Sequence, residues 1–331
     1  MNPFKFIRAN DVDEAIKSAS QSPGSKFIAG GTNLLDLMKE GIETPATLVD
    51  ISRLPLSQIR YVADGKLSIG ATARNSDTAN HPLVRQKYPM LSRAILSGAS
   101  AQIRNMATNA GNLMQRTRCP YFYDVSMPCN KRKPGSGCAA LDGINRHHAI
   151  LGWSDKCVAV YPGDMAVALT ALDASIRILT PQKKERVIPI QDFYRLPDQN
   201  PEKDNNLNLG ELITSIEIPR NNFAANSYYL KIRDRASYAF ALVSVASGIE
   251  IEDGKIKDVR IALGGVSHKP WRARVAESLL LGKEPSETLF KSAAEEELKS
   301  AKPLKYNKYK VEMTKRAIVR ALIISLNLQK F

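Results

Sequence analysis

The chain has 331 residues, 44% of them hydrophobic and 24% charged, with a formal net charge of +14. This is the composition of a folded globular protein with room for two or three packed units; it has no run of about 18 apolar residues to span a bilayer, and Met1–Arg8 lacks an apolar core of signal-peptide length. The lysines and arginines are scattered, with modest clusters at 131–133, 183–186 and 302–310. No nucleic-acid motif or aromatic ladder accompanies them, so the charge suits docking on acidic protein partners better than a DNA-binding face.

In chain order, Asp11-Val-Asp-Glu14 reads as a helix cap with a carboxylate on the first turn, leading a helix that ends at Ser22-Pro-Gly24. Lys26-Phe-Ile-Ala-Gly-Gly-Thr-Asn-Leu-Leu35 then reads as strand, glycine turn and helix start. Glycine admits φ > 0 and close approach of a ligand, and backbone N–H groups at such a turn suit an anion. A bare tight turn has the same pattern, and neither the Rossmann nor the P-loop fingerprint is present. Thr47–Asp50 is an expected strand, so residues 1–55 form a small α/β unit. Lys66–Ala71 is another strand, and a helix near Tyr88–Leu96 leads into a second small, amide-rich stretch, Ser100–Leu113, which contains Thr108-Asn-Ala-Gly111-Asn112.

From Gln115 to about Gly152 the periodic apolar pattern gives way to proline, glycine, aromatic and basic residues. All four cysteines, Cys119, Cys129, Cys138 and Cys157, lie in or just beyond this stretch, Cys157 on an expected strand Cys157–Tyr161. A segment this long without periodicity is unusual unless functional. Two disulfides, a structural zinc and an iron–sulfur cluster are the open readings; there is no export signal to favour the first and no paired Cys-x2-Cys knuckle to favour the second. Further strands are expected at Ala174–Leu179 and Leu212–Ile218, with a polar surface loop Pro197–Leu209 between them. Strands near Tyr228–Ile232, Ala241–Glu250 and Val259–Leu263 precede helices near Val275–Leu281, Ser286–Leu298 and Met313–Leu328, an α+β arrangement. Adjacent His147 and His148 would point to opposite faces of a strand, a poor chelate; a structural or cluster-side hydrogen-bond role suits them better.

The paired stretches Ala29-Gly-Gly-Thr-Asn33 and Thr108-Asn-Ala-Gly-Asn112 resemble the phosphate-cradling loops of the FAD-binding subunits of the xanthine dehydrogenase and carbon monoxide dehydrogenase family, with Ala110 where the family usually has glycine. The cysteine segment resembles the cluster-binding insertion of the flavin subunits of bacterial periplasmic aldehyde oxidoreductases. The resemblance runs through Gly163–Leu169, Arg233–Ala246 and Ala262–Arg272, and is weakest after residue 275. It implies an α+β fold: a two-part FAD-binding domain of the xanthine dehydrogenase medium-subunit (PCMH-like) type, residues 1–55 and 56–224 with the cysteine-rich insertion at 115–157, then an α+β C-terminal domain, residues 225–331, serving docking and flavin coverage.

The same resemblance implies FAD held by Lys26, Phe27, Ile28, Ala29, Gly30, Gly31, Thr32, Asn33, Leu34, Thr108, Gly111, Asn112, Asp164, Ile213 and Lys231. Asp164 is otherwise a plain helix cap, Ile213 a core residue, and Lys231 an ordinary strand lysine alternating with Arg233 and Arg235 on one face. Cys119, Cys129, Cys138 and Cys157 are implied as ligands to one 4Fe–4S cluster. No hydrolytic constellation is present. The implied function is that of the flavin subunit of a heterotrimeric molybdenum hydroxylase oxidising aldehydes to carboxylic acids. A large subunit would carry the molybdenum cofactor, a small subunit the 2Fe–2S clusters, and electrons would leave from FAD to an external acceptor. A related hydroxybenzoyl-CoA reductase-like or xanthine dehydrogenase-like subunit, or a zinc-loop nucleic-acid-binding protein, are the competing readings. A periplasmic location would follow from co-export with a signal-bearing partner; a cytoplasmic one is the alternative.

Overall fold

A computed structural model describes residues 1–327. The first sheet joins β1 (Lys5–Arg8), β2 (Lys26–Ile28) and β3 (Thr47–Asp50) in the order β1-β3-β2, with both pairings parallel. Parallel neighbours need crossovers, and the helices Val12–Ser20 and Leu34–Lys39 lie in the connections. The first is capped as its sequence dictates. The Asp11 carboxylate accepts from Glu14 N at 2.8 Å, and the Glu14 carboxylate accepts from Asn10 N at 2.9 Å. Its apolar face, Ala15, Ile16 and Ala19, packs on Val49 and Ile51.

The second sheet is antiparallel throughout. It joins β4 (Ile59–Tyr61), β5 (Leu67–Gly70), β6 (Ser175–Leu179), β7 (Glu185–Pro189) and β8 (Leu212–Ile218) in the order β4-β5-β8-β6-β7. Its edge strands β4 and β7 are largely solvent-facing, with only Ile188 buried, and β7 ends on Pro189, a residue that edges tolerate. The third sheet joins β9 (Ser227–Ile232), β10 (Val243–Glu252), β11 (Lys255–Gly264) and β12 (Trp271–Arg272) in the order β12-β11-β10-β9. The helices Arg274–Leu280, Glu287–Glu297 and Tyr309–Asn327 share its core: Val245, Ile261 and Leu263 pack with Ala276, Phe290, Ile318 and Leu322. The expected helix Met313–Leu328 thus begins four residues earlier, and Leu328 lies outside the described residues. These helices are half of a core, so removing everything after about residue 275 would strip the sheet rather than merely a docking surface.

Three local expectations need correction. Cys157–Tyr161 is not a strand: it makes one isolated bridge, Ser154 to Cys157, and is otherwise tied by single bonds from Ala149 N to Val158 O and from Tyr161 N to Ser267 O. Pro162 ends it, with no N–H to continue a ladder. Pro197–Leu209 is not a plain surface loop, because Asp204 on it binds two cations inside the protein. The cysteine segment has one helical turn, Pro120–Tyr123, and anchors of its own: Phe122, Lys131 and Asn145 are buried. Among the described residues no helix is long and apolar enough to cross a membrane.

Candidate cofactor site

The two amide- and glycine-rich loops touch. A Cβ on Gly30 would stand 2.0 Å from the Met106 carbonyl oxygen, so only glycine lets the turn after β2 lie against the second loop. Gly31 has φ +69°, the left-handed region that favours glycine. Among the described residues no backbone hydrogen bond is donated by Gly31, Thr32, Asn33 or Leu34. The Asn33 side chain accepts from Arg116 N at 2.9 Å, while its own Nδ2 is buried without a partner. A row of unspent donors at a concave turn is the chemistry of an anion site.

The second stretch is not the open loop its composition suggests. It forms two short helices, Ala101–Met106, capped by Ser100, and Asn109–Leu113. Its amides are spent on holding it together. Asn75 Nδ2 donates to Asn109 Oδ1 at 2.9 Å, and Asn112 Nδ2 to Asn75 Oδ1 at 2.7 Å. Asn109 Nδ2 donates to Thr78 Oγ1 at 2.8 Å, and Gln115 Nε2 to Asn112 Oδ1 at 2.9 Å. The Asn112 side chain is therefore a brace, and close approach falls to Gly111.

The loops form the waist of a two-chambered cleft. A chamber of about 600 Å³ is lined by Lys26–Leu34, Thr108, Gly111 and Ile213. A second, of about 780 Å³, is lined by Asn112, Asp164, Lys231, Cys119 and His148. Thr32, Asn33 and Gly111 line both. Ile213 and Lys231, both implied as FAD contacts by the resemblance, thus line different chambers.

Asp164 and Lys231 meet. The Lys231 ammonium donates to Asp164 Oδ2 at 2.8 Å and to the Ser97 carbonyl at 3.0 Å, and Tyr229 OH donates to Asp164 Oδ1 at 2.7 Å. Both ionic side chains are buried, at 4% and 7% exposure. Asp164 makes no side-chain cap bond to the helix it precedes. Burial raises the Tyr229 hydroxyl well above its ordinary pKa, with the Asp164 charge adding to it, so it stays a donor. Lys231 and Arg233 share a face, both reaching the Ser97 carbonyl, but the expected alternation does not extend to Arg235 because β9 ends at Ile232. Arg235 turns to Tyr238 O.

The cysteines carry free thiols and converge. Cys129 and Cys138 pair across a short bridge, and the Cys138 and Cys157 side chains are within hydrogen-bond reach. Cys119 lies close enough to feel both Cys129 and Cys138. The backbone around Val158, Ala140 and Leu141 favours a thiolate at Cys138, and that around Phe122 and Tyr121 at Cys119. The Cys157 side chain, with those backbone donors, brings the Cys138 thiol down to about 6, against burial. Burial pushes Cys119 up to about 12. Among the described residues no three Cys, His, Asp or Glu side chains close on one metal ion. His148 is buried with Nε2 3.1 Å from Cys119 Sγ, whereas His147 is exposed beside Arg146.

A buried ionic chain joins this segment to the cradle, and nothing in the sequence announced it. Arg116 donates to Asp204 at 2.7 Å and Glu43 at 2.7 Å, and stacks over Phe122. Lys131 Nζ, almost fully buried, contacts Asp204 Oδ1 at 2.6 Å, Pro201 O at 2.7 Å and His268 Nε2 at 2.8 Å. Asp204 lies 88 residues from Arg116, in a loop whose composition signals only solvent exposure.

Two family models account for the chain. The FAD binding domain in molybdopterin dehydrogenase matches residues 2–221, and the CO dehydrogenase flavoprotein C-terminal domain matches residues 228–324. The chain belongs to the FAD-binding molybdopterin dehydrogenase family. It is 50% identical over 324 residues to the aldehyde oxidoreductase FAD-binding subunit PaoB of Escherichia coli (strain K12), covering 97% of this chain and 98% of the relative. It is 29% identical over 292 residues to the glyceraldehyde dehydrogenase medium chain of Sulfolobus acidocaldarius, covering 88% and 85%. The carbon monoxide dehydrogenase of Hydrogenophaga pseudoflava shares the fold, with a TM-score of 0.77, 24% identity and 99% of each chain covered. The mixed α/β architecture and the FAD-binding oxidoreductase-subunit assignment follow from this membership. The two-chambered cleft, with its row of unspent donors at the waist, fits a dinucleotide such as FAD.

Proposed function

We propose that the chain is the flavin subunit of a heterotrimeric molybdenum hydroxylase that oxidises aldehydes to carboxylic acids. Its partners in this reading are a large molybdenum-cofactor subunit and a small 2Fe–2S subunit, assembled for the periplasm, with an external electron acceptor. The half-identity to an aldehyde oxidoreductase FAD-binding subunit over nearly the whole of both chains supports the substrate class. Bound FAD supplies a carrier that takes up electrons and releases them to an acceptor. The protein's own part is to hold it. Gly31 to Asn33 and Gly111 cradle the pyrophosphate, Lys26–Ala29 with Ile213 line one end, and the Asp164–Lys231 pair, braced by Tyr229, fixes the wall of the other. We assign the parts as residues 1–55 and 56–224 for FAD and 225–331 for coverage and docking.

We further propose one 4Fe–4S cluster on Cys119, Cys129, Cys138 and Cys157. Four free thiols carried on one segment are a donor set suited to a polynuclear iron–sulfur centre. The backbone around Cys138 and Cys119 favours thiolates. The zinc-module alternative lacks its single-ion ligand set.

The cradle is tested at Gly111. Its φ is ordinary, and an added Cβ would meet only Thr108 Oγ1, at 3.0 Å. Gly111→Val should therefore fold, whereas a branched residue at Gly31 would add strain at positive φ. The expected result is a loss of at least tenfold in FAD affinity by titration of the deflavinated protein with FAD. Wild-type affinity in a folded variant would remove the pyrophosphate from this loop. Turnover of a panel of aldehydes and purines by the assembled complex tests the substrate class.

A further inference from the structure

We propose that His148 donates a hydrogen bond from Nε2–H to Cys119 Sγ and thereby raises the reduction potential of the cysteine-held cluster, with the C-terminal domain setting its position. The inference rests on the cluster reading above. His148 is 3% exposed, its Nε2 is 3.1 Å from Cys119 Sγ, and its Nδ1 is buried without a partner. These facts select the tautomer. A metal-bound thiolate has no proton to give, so the nitrogen facing it must carry one. The other tautomer would aim a lone pair at the thiolate sulfur.

The ring is held from far along the chain. Asn307 Nδ2 donates to the His148 and Ala149 carbonyls, both at 3.1 Å. Lys310, fully buried at the start of the last helix, spends its ammonium on three carbonyls: His147 O at 3.0 Å, His148 O at 3.1 Å and Gly265 O at 2.7 Å. Tyr309 OH donates to Arg146 O at 3.0 Å, and Tyr306 N to Asn145 Oδ1 at 3.0 Å. A stretch of five residues, 306–310, thus fixes the backbone on both sides of His148. No comparable set holds the exposed His147 side chain. A hydrogen bond to ligand sulfur stabilises the more negative reduced state, so the potential rises with it. His148 is a positioning and tuning residue in this account; it touches no substrate.

The test uses the complete complex, purified anaerobically, as wild type, His148→Phe and His148→Gln. Pulsed EPR of the reduced 4Fe–4S signal in protein labelled with 15N-histidine should show a histidine nitrogen coupling in the wild type. It should be lost in His148→Phe, together with a negative shift of the cluster's midpoint potential. His148→Gln, which keeps an N–H donor, should recover part of that shift. A wild-type cluster with no histidine nitrogen coupling overturns the proposal without needing any variant. So does a His148→Phe complex that keeps its iron and its potential. A wild-type complex without cluster iron on this subunit overturns the cluster reading itself and this inference with it, an outcome the iron and sulfide analysis separates from the other two.

Discussion

Asp204→Asn is expected to destabilise the protein by about 3 kcal/mol at neutral pH, because it leaves the buried Lys131 ammonium without a carboxylate and Arg116 with Glu43 alone. The carboxylate takes Arg116 at 2.7 Å and Lys131 at 2.6 Å, and the Lys131 side chain is only 1% exposed. Burial alone would raise the Asp204 pKa, but Lys131, then Arg116 and His268, hold it well below the usual carboxylate range. A folded-state value below the unfolded one means stability that is fully present above about pH 4 and lost as pH falls through the depressed value. The wild-type advantage over Asp204→Asn should therefore be constant from pH 7 to about pH 5 and shrink in stronger acid. Denaturant unfolding at each pH measures it, and equal midpoints at pH 7 would show that the network contributes nothing. The site should respond as well. Arg116 N supports the Asn33 side chain at 2.9 Å, so loosening Arg116 reaches the cradle, and weaker FAD binding is expected alongside the lost stability.

The same network marks where the sequence stops being informative. The glycine turn was legible because its demands are local. A Gly-Gly turn after a short apolar strand announces positive φ and close approach, and the structure uses Gly31 for the first and Gly30 for the second. The apolar strands β5, β6, β8, β10 and β11 were legible from their pattern, and the C-terminal helices from their spacing. The edges β4 and β7 were not, because β4 is only three residues long and β7 follows directly on a run of charged residues and ends on Pro189. Long-range charge pairing was the larger loss. Lys131 reads as one of a basic cluster on a solvated surface, yet it is buried, and its partners Asp204 and His268 lie 73 and 137 residues away. Nor could Asp164 and Lys231 be paired from sequence, since they meet only because the helix after Asp164 packs against the third sheet.

Cys138→Ala should remove cluster iron nearly completely while leaving most of the FAD. Cys138 is the hub of the set: it pairs with Cys129 through the backbone, meets Cys157 through its side chain, and lies near Cys119. A cluster lacking that thiolate loses a bond that alanine cannot supply, and metal binding here is also folding energy. The sequence alone suggests that the whole stretch from Gln115 to Gly152 would loosen. The structure narrows this. Phe122 is fully buried at one end, and at the other the Asn145 side chain donates to Ala140 O and Leu141 O at 3.2 and 3.1 Å. Between them the buried anchors are Cys129, Asn130, Lys131 and Ala140, and the exposed remainder is tied by bonds such as Asn130 N to Gly137 O at 2.7 Å and Ala139 N to Pro128 O at 3.1 Å, which gather around the cysteines. Faster amide exchange is therefore expected across roughly Asp124–Gly143, with little change at Phe122 or beyond Asn145. FAD should survive because Gly31, Asn33 and Gly111 are held by the asparagine brace and by Arg116, neither of which uses a cysteine. About four iron and four sulfide per chain in the wild type, assayed after anaerobic purification of the single chain, is the starting expectation for this cluster type. Zinc at one per chain, or two disulfides by mass with no iron, would take the cluster out of the account; unchanged iron in Cys138→Ala would take Cys138 out of the ligand set.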